Sequence, residues 1–261
     1  MRAFASIRHT GFALLLAAFS AAALAQAQQA PSTYAPSVGQ EGKDVVWVPT
    51  PQALVDKMLD MADVTAADYV IDLGSGDGRT VISAAKRGAR ALGIEYNPHL
   101  VELSKRNAAR EGVAGRASFM QADLFETDLS RASVITMFLL TEINLKLRPA
   151  LLRLKPGTRI VSNTFTMGDW KADETVSVNA DCSSAWCTAH LWIVPARVAG
   201  TWKIPQGEIT LRQSFQLLSG LLRTEGKTLT LEGKVRGEQI AFMAGRREYR
   251  GKLNGKSLEL E

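Results

Sequence analysis

Between residues 69 and 163, short β-rich apolar runs alternate with stretches whose apolar positions recur at helical spacing. "YVID" (69–72) reads as a buried parallel strand and "RTVISAAKRGA" (79–89) as the helix that follows it. "RALGIE" (90–95) is a second strand ending at Glu95. Asn97 is a good N-cap and Pro98 suits the first helical position, so "PHLVELSKRNAAREG" (98–112) reads as a helix that stops at Gly112. "RASFMQADLFE" (116–126) supplies a third strand ending at Asp123, "ASVITMFLL" (132–140) a fourth, and "LKPGTRIVSNTF" (154–165) a turn and a fifth. Thr141 is placed to cap a helix over "EINLKLRPALLRL" (142–154). Upstream, Thr50 is placed to cap a helix begun by Pro51, with Leu54, Val55, Met58 and Leu59 as its buried stripe. Strands largely alternating with helices predict an α/β chain with a parallel sheet.

The pattern changes near Pro195. "GEITLRQSFQ" (207–216) alternates, with Ile209, Leu211 and Phe215 on one parity, and "KTLTLEGKV" (227–235) puts Leu229, Leu231 and Val235 inward. "GKVRGEQI" (233–240) and "GKLNGKSL" (251–258) form a small internal repeat, and Asn254-Gly255 is a hairpin signal. These features predict a C-terminal antiparallel β meander over residues 196–261, as a small sheet or a partial barrel, behind a main domain over 45–195. "LWIVPARVAGTWKI" (191–204) fits either a hairpin closing the main sheet or the first strand of the meander.

The N-terminus carries Arg2 and Arg8, the apolar stretch "GFALLLAAFSAAAL" (11–24) and the small-residue site Ala23-Leu24-Ala25. This is the pattern of an export signal over residues 1–25, with polar residues 26–44 as a linker. The apolar stretch is short for a permanent span, which takes about 20 residues. Export predicts a periplasmic protein with no stable membrane span after cleavage. The formal net charge is +5, and without Arg2 and Arg8 the balance is 29 basic to 26 acidic residues, too mild to argue for nucleic acid. Cys182 and Cys187 bracket "SSAW": in an oxidising compartment they close a small loop, and otherwise they are two half-buried thiols. A structural zinc site takes about four ligands, and with only His9, His99 and His190 in the chain no metal centre is expected.

The candidate chemistry lies in the strand-to-helix turn "DLGSGDGR" (72–79). Glycine there permits positive φ and the close approach of a ligand, beside a helix N-terminus that favours negative groups. The dinucleotide fingerprint fails, because Arg79 occupies the place of its last glycine. The spacing is instead an acid followed by alternate glycines: Asp72, Gly74, Gly76, Gly78. This turn, with Glu95 and Asp123 at the ends of the next strands, resembles the class I S-adenosylmethionine (SAM)-dependent methyltransferases. The resemblance implies a Rossmann-like methyltransferase sheet and SAM as cofactor. It implies cofactor contacts from Thr50, Asp72, Gly74, Ser75, Gly76, Gly78, Glu95 and Asp123: the turn on the methionine part, Glu95 on the ribose hydroxyls, Asp123 or its neighbour on the adenine amino group. With "VPTP" (48–51) and "DLFETDLS" (123–130) added, the chain looks like the lysine methyltransferase group related to the enzymes that methylate the c subunit of ATP synthase. That implies a protein substrate. "FLLTEINLKL" (138–147) carries no Asn-Pro-Pro-Tyr type motif, which disfavours methylation of nucleic-acid bases.

Methyl transfer from a sulfonium needs no protein nucleophile; alignment and desolvation are worth roughly 7–11 kcal/mol. No catalytic residue is named. Thr141, Glu142 and Asn163 lie nearest the expected methyl position, where capping and solvated loop roles compete. Trp47 and Trp170 line a substrate slot or serve as packing. Two function classes stand at this point, a SAM-dependent protein-lysine methyltransferase and an exported non-catalytic binding module that kept the fold. The glycine turn favours the first and the export signal the second.

Overall fold

A computed structural model describes residues 34–178, 182, 185–255 and 257–260. The export signal and its cleavage site lie outside the described residues. Residues from Ala35 onward form one compact unit built on two seven-stranded sheets.

The first sheet has the order β3-β2-β1-β4-β5-β7-β6. Its strands are β1 (Tyr69–Leu73), β2 (Arg90–Glu95), β3 (Ala117–Gln121), β4 (Val134–Met137), β5 (Arg159–Asn163), β6 (Glu174–Ser177) and β7 (Thr188–Ile193). The first five are parallel; β7 runs antiparallel between β5 and β6. Helices α1 (Gln52–Met61), α2 (Arg79–Lys86) and α3 (Pro98–Arg110) contribute to the core on one face, and α4 (Thr141–Leu151) to that on the other. This double cover explains why β1 and β4 read as continuous apolar runs: Val70 joins one core while Ile71 and Leu73 join the other.

The predicted helix stripe of Leu54, Val55, Met58 and Leu59 is buried as expected, and Asn97 Oδ1 accepts from the His99 amide at 2.9 Å. Two caps differ. Pro51, not Thr50, stands at the N-cap of α1, and Leu140, not Thr141, at that of α4; neither makes a side-chain cap. The third strand ends at Gln121, so Asp123 lies two residues beyond it. β6 went unread because three of its four residues are polar and it forms the outer edge of the sheet.

The second sheet is a meander, β8 (Gly200–Ile204), β9 (Gly207–Ser214), β10 (Leu217–Thr224), β11 (Lys227–Arg236), β12 (Gln239–Ala244), β13 (Arg247–Asn254) and β14 (Ser257–Leu260), paired in chain order. "LWIVPARVAGTWKI" is divided between the sheets: its first residues belong to β7 and its last to β8. Phe215 sits in the β9–β10 turn at φ +53 rather than on the strand. Its ring stacks on Trp170 of the first sheet's core, 6.0 Å between centroids at 12°. Beside it, buried Gln216 donates to the Lys171 carbonyl at 2.7 Å. Trp170 is fully buried and therefore packs the core rather than lining a slot.

Candidate active site

The glycine turn is held by β2 and α3. The amides of Gly74 and Ser75 both donate to the Ile94 carbonyl of β2, at 2.9 and 3.0 Å. From α3, Ser104 Oγ donates to the Gly76 carbonyl and Asn107 Nδ2 to the Asp77 carbonyl, each at 2.9 Å. Gly74, Gly76 and Gly78 take φ of 74°, 55° and 83°, the region where L side chains are strained. Gly93 in β2 answers the turn from below: a Cβ there would come within 2.5 Å of Ser75 Oγ and 2.7 Å of the Phe119 ring. Sequence reading missed Gly93, although glycine in a strand signals close approach.

A cleft enclosing about 1070 Å³, part of it open to solvent, lies at the carboxyl ends of β1, β2 and β4, where ligands bind in open α/β sheets. It brings together Thr50, Asp72, Gly74, Ser75, Gly76, Glu95 and Asp123. Gly78 is not among the lining residues: it precedes α2, and a Cβ there would lie 2.8 Å from the Phe119 ring and 2.9 Å from Ser104 Cβ. Its glycine serves packing behind the turn. Thr141 and Glu142 also lie outside the lining, which α4 reaches through Ile143. Asn163 is fully buried, its Nδ2 donating to Thr50 Oγ1 at 3.3 Å while its Oδ1 accepts from Thr164 Oγ1 at 2.8 Å. It holds Thr50 in place.

Residues 40–50, barely read from sequence, form one wall of the cleft. The Trp47 amide donates to the Gln40 carbonyl and the Gly39 amide to the Trp47 carbonyl, closing a loop. Trp47 lies against the glycine turn, where a Cβ on Gly76 would come within 2.7 Å of its Nε1. Lys43 pairs with Asp123 and lies 4.8 Å from the Tyr96 ring centroid. That pairing holds the Asp123 carboxyl below its usual range. Arg79, the residue that breaks the dinucleotide fingerprint, donates to the Thr50 carbonyl at 2.9 Å and forks onto Asp77, fastening this wall to α2.

The acids of the cleft are arranged for a cation. Asp72 is buried, which lifts its carboxyl to about 7 against the opposing hydrogen bond from Thr136 Oγ1 at 2.6 Å; the charges of Glu95 and Asp77 raise it further. Glu95 accepts from the Gly76 and Asn97 amides, both at 2.9 Å. The Ser75 hydroxyl is buried without a partner. Carboxylates at the ends of β1 and β2, a third beyond β3 and a glycine turn fit a ligand bearing an ammonium, a sulfonium and ribose hydroxyls. No cluster of metal-ligating side chains occurs among the described residues.

Fold and cleft define a class I SAM-dependent methyltransferase, and similarity to known proteins agrees. The ANTKMT methyltransferase domain matches residues 72–174. A protein-lysine N-methyltransferase of Saccharolobus islandicus is 45% identical over 137 residues, 51% of this chain and 85% of that protein. The chain belongs to the family of this archaeal enzyme. The human lysine N-methyltransferase of the ATP synthase c subunit is 39% identical over 113 residues, 43% of this chain and 48% of that protein, so the match spans about half the human relative. A crystal structure of an RNA methyltransferase from Salinibacter ruber, in complex with S-adenosyl-L-homocysteine (SAH), shares 47% identity at a TM-score of 0.54, covering 58% of this chain and 96% of that one.

Proposed function

We propose that this chain transfers the methyl group of SAM to the side-chain amine of a protein lysine. The observation that carries the reading is the convergence of Asp72, Glu95, Asp123 and the Gly74–Gly76 turn in one cleft, in a chain 45% identical to a protein-lysine N-methyltransferase. Bound there, SAM supplies an electrophilic methyl on its sulfonium. In this reading Asp72 faces the ammonium, the glycine turn lets the methionine part come close, Glu95 accepts from the ribose hydroxyls and Asp123 from the adenine amino group, exchanging Lys43 for it. Thr50, fixed by Asn163, closes the methionine end. The protein's work is alignment and exclusion of water. The acceptor amine must arrive neutral, which apolar surroundings favour.

The test is a titration of the purified protein with SAM and SAH, followed by transfer of labelled methyl to lysine-containing protein and to RNA from the same cells. Label recovered as methyl-lysine is the expected result. Glu95→Ala should weaken SAH binding at least about tenfold, since each charge-assisted hydrogen bond is worth roughly 1.5–3 kcal/mol. SAH binding without transfer would return the non-catalytic module. Label in RNA would give the second reading, favoured by the likeness to the Salinibacter enzyme.

We also propose that the chain works after export. The charge and hydropathy pattern of residues 1–25 supports this, as does the Cys182–Cys187 disulfide, a bond at home in oxidising compartments. Mass spectrometry of the protein from its own host should find a mature start at or near Gln26; an intact Met1 would refute export.

A further inference from the structure

Phe138 lines the cofactor cleft and is also one member of a trio of aromatic rings. Its ring centroid lies 6.0 Å from that of Phe165 and 5.9 Å from that of Trp186, and Phe165 and Trp186 are 5.5 Å apart. All three residues are half-buried. The topology explains why they meet. Phe138 directly follows β4, Phe165 lies two residues past β5, and Trp186 lies two residues before β7. β7 is antiparallel to β5, with Asn163 opposite Ala189, so the start of β7 and the ends of β4 and β5 share one rim of the sheet.

Two features fix the trio. Thr164 takes φ +60, rare for threonine, with its hydroxyl on Asn163 and its carbonyl 3.1 Å from His190 Nε2; this turn carries Phe165. Trp186 adjoins Cys187, whose disulfide to Cys182 closes the loop that bears it. Trp186 and the disulfide both lie beyond residues 72–174, the part matched by the family's domain.

We propose that Phe138, Phe165 and Trp186 form the wall on which the alkylammonium side chain of the methyl acceptor lies, with Trp186, beside the Cys182–Cys187 bond, as its specificity residue. The proposal rests on the lysine reading above. Ring faces attract an ammonium and its methylated forms, more strongly as water is excluded. The lysine stem is apolar and lies well on such a surface. The wall begins at the cleft's own lining, so a side chain laid along it leads to the cofactor.

The full-length mature chain, saturated with SAH, would be titrated with choline, with its neutral isostere 3,3-dimethylbutan-1-ol, and with adenosine. The cation should bind at least about tenfold more tightly than the neutral alcohol. Trp186→Ala and the Cys182→Ser/Cys187→Ser double variant should each weaken cation binding about tenfold, while Trp186→Phe keeps it within about threefold. SAH affinity should stay within about twofold throughout, which also shows that the variants are folded. Equal binding of the alcohol, no binding of the cation, adenosine in its place, or a Trp186→Ala protein that binds the cation normally would each overturn the wall. So would loss of SAH affinity in Trp186→Ala, which would make Trp186 part of the cofactor site. Methyl transfer to lysine without cation binding would refute the wall alone. Cation binding on Trp186 without transfer to lysine would refute the lysine reading and keep the wall as an alkylammonium site.

Discussion

Burial lifts the Asp72 carboxyl to about 7, above its unfolded value near 3.9, and this gives the cofactor-free protein a pH dependence of known sign. Between those values the folded state holds more protons than the unfolded state. The stabilisation from this proton is full at low pH and is lost as pH rises through about 7. Thermal midpoints of the cofactor-free protein should therefore fall from about pH 5 to about pH 8, and Asp72→Asn should flatten the fall. SAM, bringing an ammonium, should bind more tightly across the same rise and release a proton, read by calorimetry in two buffers of different ionisation heat. The turn's glycines should separate in their effects. Gly78→Ala drives a Cβ into buried Phe119 and Ser104 and should lower stability by about 1–3 kcal/mol. Gly76→Ala meets the Trp47 side chain on the cleft wall, so cofactor titration should suffer more than thermal stability. Asp72, Gly74, Gly76 and Glu95 were legible because strand, turn and acid follow one another in sequence. Gly93 and Phe138 were not, because what they touch comes from distant segments: Ser75 and Phe119 for one, Phe165 and Trp186 for the other.

Elements announced by a local signal were read well. The internal repeat marks two equivalent hairpin corners: Gly237 and Gly255 both take positive φ at the turns, and Gly233 and Gly251 both sit where a Cβ would strike a neighbouring strand's carbonyl oxygen, at 2.2 and 2.1 Å. Elements defined by their partners were harder. β6 is a strand because β7 lies beside it, and the run containing β7 and β8 fitted either a closing hairpin or the first strand of the meander because nothing local says that its halves pair in different sheets. Phe215 followed the parity of β9, yet the β9–β10 turn carries it onto Trp170, with the Arg148 guanidinium 5.2 Å from its ring. Phe215→Ala should therefore lower stability by about 2 kcal/mol, more than an ordinary turn residue, and leave SAH binding intact. Thermal unfolding in the presence and absence of SAH checks both halves.

For the whole molecule, the two sheets meet at a few defined points: Phe215 on Trp170, Gln216 on Lys171, and the Ala196 amide on the Gly237 carbonyl at 2.7 Å. A chain cut after Pro195 keeps every strand of the first sheet and the entire lining of the cleft, so it should bind SAH. It should also melt earlier than the full chain, by no less than Phe215→Ala does, because it loses the same stack and more. Aggregation of the shortened chain with no SAH binding would show that the second sheet is indispensable to the first.

The order in which strands pair carries a further consequence, in time. Every ladder of the second sheet joins strands that are neighbours in the chain, whereas β1 must find β4 across two intervening strands and two helices. Local pairings close small loops and form early; distant parallel pairings wait for larger loops to close. Pulse-labelled hydrogen exchange during refolding should protect the amides of β9–β12 before those of β1 and β4. The scaffold remote from the cleft would then be in place while the strand that carries Asp72 and the strand that leads into Phe138 are still searching for each other.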